Sequence, residues 1–245
     1  MVEQELQLQA GDGASDAVFL HPDGSGPWPG VLFYTDIGGI RDAYRESARR
    51  LAGEGYAVLM PNVFYRTGKP PMFSSLPGSG SERTPQRLAE ISGPLTPDAV
   101  ERDVAIYVDF LTRLEGVGKG PIGVVGYCMT GAMAVRTAAI RPDKVAAVAS
   151  FHGGGLYTDK PASPHLLLPR IKAQLYFGHA VEDRSMPQAA IDQLNEALKN
   201  WGRKYQSEVY EGAYHSWTTL DSPVYNKPQA EHAFSKLTEL LSALK

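Results

Sequence analysis

The stretch "IGVVGYCMTGAMAV", residues 122 to 135, decides how this chain is read. An apolar run of strand-like composition, Ile122 to Tyr127, meets a small-residue stretch of helical character from Thr130 onward, and the junction Gly126-Tyr127-Cys128-Met129-Thr130-Gly131 carries the only cysteine. A G-x-C-x-G-like pattern between a strand and a helix is the context of a nucleophile elbow, in which a sharp turn pushes the nucleophile outward at a helix N-terminus. There the unsatisfied N–H groups and the helix dipole favour a thiolate and can hold an oxyanion. The competing reading is a small buried hydrophobe, the commonest fate of a free cysteine. Local sequence alone leaves both open.

Around this junction, short apolar runs alternate with longer helical patterns, the ordering of a mostly parallel sheet covered by helices on both faces. Strands are predicted at 6–9, 17–21, 30–35, 56–61, 122–127, 145–151, 173–178 and 204–210. The first two precede any helix, are separated by "AGDGASD", and read as an antiparallel edge hairpin. Helices are predicted at 42–53, 98–114, 130–140, 187–201 and 227–244. The Pro/Gly/Ser-rich stretch 66–97 reads as a long binding or lid loop with one short helix near Gln86 to Ile91. The fold class is α/β, in one domain over 1–245.

The partners that an elbow nucleophile needs follow in the order acid, then histidine, on loops after later strands. "HAVEDRSMP" places Glu182 and Asp183 after the 173–178 strand, and "EGAYHSW" places His215 after the last one. Asp183 is the preferred acid, with Glu182, or a plain cap for the helix near Pro187, as the alternatives.

Composition excludes other classes. With 245 residues, 43% hydrophobic, 21% charged and a net charge of -3, the chain suits one globular domain without the basic face that nucleic acid or anionic lipid would require. The acidic amino-terminal stretch does not resemble a signal peptide, and no segment is long and apolar enough to span a bilayer, so a cytoplasmic location is expected. A single cysteine permits no internal disulfide. No cofactor or metal motif is present, so neither is expected.

"VLFYTDIGG", "LAGEGYAVLMPNVFYR", "IGVVGYCMTG", "SFHGGGL", "DRSMP" and "YEGAYHSW", in this order from Val31 to Trp217, resemble the dienelactone hydrolase family. The resemblance implies an α/β-hydrolase fold and a Cys-His-Asp triad of Cys128, His215 and Asp183 that opens an ester or lactone through a thioester. It also implies an activating acid at Asp36 and an oxyanion hole from the backbone N–H groups of Ile37 and Met129. Asp36 is one methylene shorter than the family's glutamate, Thr130 stands at the second elbow glycine, and Ser216-Trp217-Thr218-Thr219 replaces the stretch where the family carries a substrate-binding arginine. Tyr65, Arg66, Arg83, His152, Tyr157 and Trp217 are candidate pocket walls for a small-molecule ester or lactone, with a less charged, more apolar one as much expected as the family's usual charged lactone. The rival reading is a non-catalytic or redox-sensing protein using the elbow thiol.

Overall fold

The computed structural model describes residues 1–74 and 82–245; part of the loop expected over 66–97 therefore lies outside the described residues. The eight strands are β1 (Val2–Ala10), β2 (Gly13–His21), β3 (Gly30–Tyr34), β4 (Ala57–Pro61), β5 (Ile122–Tyr127), β6 (Val145–Phe151), β7 (Gln174–Ala180) and β8 (Tyr205–Tyr210). They form one sheet in the order β1-β2-β4-β3-β5-β6-β7-β8. β1 and β2 pair as the antiparallel hairpin, β2 runs antiparallel to β4, and every later pairing is parallel. The hairpin strands are longer than their apolar runs, because the polar residues that begin β1 lie exposed at the sheet edge.

The α-helices among the described residues are α1 (Asp42–Gly53), α2 (Pro85–Ser92), α3 (Pro97–Leu111), α4 (Thr130–Ile140), α5 (Gln188–Trp201) and α6 (Lys227–Leu241). Their starts follow local chemistry. Thr84 and Thr96 each cap a helix whose first residue is proline, their hydroxyls accepting the N–H of Arg87 and Ala99. α5 ends at Gly202, whose φ of 72° suits glycine in a left-handed cap. α3 stops at Leu111 and α6 at Leu241, each three residues before the predicted end; Ser242–Leu244 form a 3-10 turn. Among the described residues no helix is long and apolar enough to cross a membrane.

Alternation along the strands builds two cores. Leu32 and Tyr34 of β3, with Val124 of β5 and Leu175 and Phe177 of β7, pack under α3, α4 and α5. Val31 and Phe33, with Val125, Tyr127, Phe151 and Tyr176, pack under α1 and α6. Both faces are covered, which is why the central strands read as continuous apolar runs rather than alternating ones. From β3 the chain moves outward to β4, then returns to the other side of β3 as β5. Such a reversal is where open α/β sheets bind ligands, in the crevice outside the carboxyl ends of the strands, here β3 and β5.

Close approach at the β5–α4 junction demands glycine. A Cβ on Gly126 would lie 2.2 Å from the backbone oxygen of Thr130, whereas one on Gly123 would meet the terminal carbon of the Leu241 side chain at 2.3 Å. A backbone atom cannot yield as a side-chain end can. Gly126→Ala is expected to cost more than about 2 kcal/mol and Gly123→Ala about 1 kcal/mol, read as a larger drop in denaturant midpoint for the former; equal losses would contradict the junction geometry.

Candidate active site

Cys128 occupies the turn between β5 and α4 with φ of 58°, a left-handed conformation that costs an L-residue energy and projects its side chain away from the strand. Hydrogen bonds hold it there. Its N–H donates to Phe151 O and His152 Nδ1, both at 3.1 Å, and its carbonyl accepts from Gly131 N–H at 3.0 Å and Gly154 N–H at 3.3 Å. Thr130, in place of the usual glycine, is accommodated through its hydroxyl. Its Oγ1 accepts from Tyr127 N–H at 3.0 Å and lies 2.8 Å from Tyr127 O and 3.2 Å from Tyr34 O, tying the elbow to the end of β3. Gly131 then supplies the close approach, since a Cβ there would lie 2.2 Å from Ser150 Oγ.

The non-glycine residues with positive φ among the described residues are Cys128, His152, Glu182 and Ser216. One follows each of β5, β6, β7 and β8, so the irregular backbone collects around one crevice, as it does at functional sites. Into it come the acid and the imidazole: His215 Nδ1 lies 2.7 Å from Asp183 Oδ2. The other carboxylate oxygen accepts both Ser185 N–H at 2.8 Å and Ser185 Oγ–H at 2.7 Å. Glu182, the alternative acid, has no such tie to His215.

Charge is balanced along this row. Burial opposes the imidazolium of His215, but hydrogen bonds with Asp183 and Cys128, and their charges, outweigh it and raise its pKa to about 10. Burial likewise opposes the Asp183 carboxylate and is outweighed by His215 and Ser185, which hold it at about 2. His152, 1% exposed, is pushed well below the usual histidine range by burial first and by His215 second. Neutral, and accepting at Nδ1 from Cys128, it carries its proton on Nε2, 2.9 Å from Thr218 Oγ1.

Two backbone donors near the elbow are unpaired. Among the described residues the N–H groups of Ile37 and Met129 find no acceptor, whereas their neighbours do: Gly38 N–H donates to Asp36 Oδ1 at 2.8 Å and Gly39 N–H to Asp36 O at 2.9 Å. Met129 is the N-cap of α4, where an unsatisfied N–H is part of the positive end of a helix. Met72 N–H donates to Gly38 O at 2.9 Å, which lays Met72 against the turn that carries Ile37.

The remaining candidates are placed differently. Asp36 is 5% exposed and its carboxylate oxygens accept from Arg41 at 2.7 and 3.0 Å, so its hydrogen bonds go to Arg41 and Gly38 rather than to the Cys128 sulfur. Trp217 is fully buried, packed on Tyr210 with ring centroids 4.7 Å apart, and is a core residue rather than a pocket wall. His152 lies beneath the elbow. Tyr65 and Arg66 are bound to Asp103, with Arg66 also reaching Asp12. Arg83 lies over the Phe73 ring at 4.4 Å, and Tyr157 stacks on His165 at 4.1 Å. Sequence reasoning missed Arg41, Thr218, Ser185 and Asp221; only Ser185, two residues after Asp183, carried a local signal, the spacing of an Asp turn. Among the described residues no cluster of three or more His, Cys, Asp or Glu is arranged to hold a metal.

The coupling in the row is measurable. In a histidine NMR titration, His215 is expected to stay protonated toward about pH 10, and both Cys128→Ala and Asp183→Asn are expected to bring its midpoint down toward the ordinary 6.5, since each removes a group that raises it. A midpoint unmoved by Cys128→Ala would mean that the sulfur and the ring do not interact.

Comparison with known proteins gives the family and the fold. The dienelactone hydrolase family matches residues 15–244. The carboxymethylenebutenolidase of Rhodococcus opacus is 27% identical over 230 residues, covering 93% of this chain and 86% of its own. In fold, a Klebsiella pneumoniae protein superposes with a TM-score of 0.86 at 20% identity over 98% of both chains. A dienelactone hydrolase-like promiscuous phosphotriesterase from metagenomic libraries gives 0.80 at 21% identity over 99% of this chain and 98% of its own. A match across nearly the whole length, on the fold described above, makes this chain a member of the dienelactone hydrolase family, hydrolases of the α/β-hydrolase superfamily that act on ester bonds.

Proposed function

We propose that the chain is a cysteine hydrolase that cleaves activated esters or lactones through a thioester on Cys128. The observation that supports this most is the His215–Asp183 pair, 2.7 Å apart at the ends of β8 and β7, with Cys128 at the end of β5 acting electrostatically on the His215 ring, in the order the chemistry uses. The Cys128 sulfur reacts as its thiolate, the proton having passed to His215. It adds to the ester carbonyl, and the tetrahedral oxyanion is held by the N–H groups of Ile37 and Met129. Collapse expels the alkoxide, which takes its proton from the His215 imidazolium and leaves an acyl thioester on Cys128. The ring, now neutral, accepts a proton from water as the hydroxide adds to the thioester; collapse releases the acid and restores the pair. Asp183 keeps the Nδ1 side of the ring occupied throughout, so that Nε2 faces the reaction.

Amides suit this machinery poorly, because the tetrahedral adduct expels thiolate in preference to an amide nitrogen. Substrate charge follows from the arginines. The Arg41 and Arg66 guanidinium groups are each already bound by two aspartates, and Ser216 to Thr219 supply no cation after His215. An uncharged acyl group therefore fits better than one bearing a carboxylate.

With p-nitrophenyl acetate and simple lactones as substrates, Cys128→Ala and His215→Gln are each expected to lose about 10³-fold or more of kcat. Full activity in either variant rejects the role assigned to that residue. Carboxylate-bearing lactones are expected to show a lower kcat/KM than neutral ones of equal size; the reverse order rejects the substrate class.

A further inference from the structure

Arg41, the residue immediately before α1, uses all five of its N–H donors inside the protein. Nε donates to Asp221 Oδ2 at 2.7 Å and one terminal nitrogen to Asp36 Oδ1 at 2.7 Å and Gly39 O at 3.3 Å. The other donates to Asp36 Oδ2 at 3.0 Å and Asp221 Oδ1 at 3.1 Å. The side chains of Arg41, Asp36 and Asp221 are 12%, 7% and 18% exposed, so water competes weakly for these bonds. The guanidinium also lies 4.8 Å from the Tyr44 ring, whose hydroxyl is 3.3 Å from Thr219 Oγ1. Gly38 makes room for it: a Cβ there would lie 2.7 Å from the Arg41 nitrogen.

What the guanidinium joins gives it significance. Asp36 and Gly39 bracket Ile37, whose N–H has no acceptor among the described residues. Asp221 and Thr219 belong to the segment that follows His215, which is closed on itself by Asn226 N–H donating to Trp217 O at 3.0 Å. Two turns contributed by opposite ends of the chain thus share one planar cation. Such a buried ion pair is weak evidence for stability, since desolvation offsets much of the attraction, but a planar fork between two carboxylates fixes geometry strongly.

We propose that Arg41 is a positioning residue: through Asp36 and Asp221 it fixes the turn carrying the Ile37 N–H at oxyanion distance from the Cys128 sulfur. This rests on the hydrolase reading above. It gives Asp36 a role that acts through Arg41 and the turn, with no contact to the sulfur. His215 is held independently by Asp183, so loss of Arg41 moves the oxyanion donor and leaves the sulfur–imidazole pair in place.

Arg41→Ala and Asp221→Asn are assayed beside wild type and Cys128→Ala for p-nitrophenyl acetate hydrolysis and for alkylation of Cys128 by iodoacetamide as a function of pH. Loss of one oxyanion donor costs about 10²- to 10³-fold, and a displaced rather than deleted donor about 10- to 100-fold. Arg41→Ala is therefore expected to lose that much kcat with KM little changed, while the alkylation rate and its pH profile stay within about twofold of wild type. Added guanidinium ion, below denaturing concentration, is expected to restore part of the kcat of Arg41→Ala and none to wild type. Asp221→Asn, which keeps the shape and removes one charge, is expected to lose several-fold in kcat with the same unchanged alkylation. An Arg41→Ala enzyme within about threefold of wild-type kcat, or one losing kcat and alkylation together, overturns the proposal; should Arg41→Ala not fold, a folded Asp221→Asn with wild-type kcat does so. Turnover retained by Cys128→Ala sinks the nucleophile reading instead, a separate result from an Arg41 variant that behaves as wild type.

Discussion

The left-handed backbone of Cys128 is the constraint around which the other parts are arranged. One L-residue in that region costs about 1–3 kcal/mol, and it persists because its neighbours leave no alternative. Gly126 lets the chain double back on Thr130, Gly131 lets α4 sit against Ser150, and the elbow's own N–H and carbonyl are bound on both sides by the ends of β6 and the loop beyond it. Relaxing the turn would break these bonds and withdraw the sulfur from the crevice. The strain is thus stored at the turn that presents the proposed nucleophile, and the close-packed core on both sheet faces holds it.

Charge placement follows the same economy. Each buried charge around the crevice has a partner of opposite sign: Asp183 with His215, and Arg41 with Asp36 and Asp221. His152, without a carboxylate, is kept neutral and serves as a hydrogen-bond acceptor for the elbow. These pairs also link stability to pH. His215, raised to about 10, contributes stability that is fully present below its ordinary 6.5 and lost as pH rises through about 10. Asp183, lowered to about 2, contributes stability that is present above its ordinary 3.8 and lost as pH falls through about 2. Between those limits Asp183 and His215 are both charged.

The architecture was legible because its signals are local and periodic. Apolar runs and the Gly-x-Cys junction each act within a few residues, and the acid and imidazole could be ordered because strand ends share one edge. Tertiary arrangements were not legible. Trp217, two residues from His215, looked like a wall, yet the segment after β8 curls inward and buries it between Tyr210 and His152. Tyr65 and Arg66, at the end of β4, were claimed by Asp103, a residue on α3 whose burial no pattern announced. Arg41 meets Asp221 across 180 positions of sequence, and only the folded sheet brings them together. Thr130 read as a departure from the glycine pattern, while its hydroxyl binds the very turn it was expected to strain.

The most direct test of the account is mass spectrometry of the protein quenched during turnover of an activated ester. The account predicts an acyl adduct confined to the peptide bearing Cys128, formed and lost at rates consistent with turnover. Turnover that continues with no adduct, or with Cys128 fully alkylated, would contradict it.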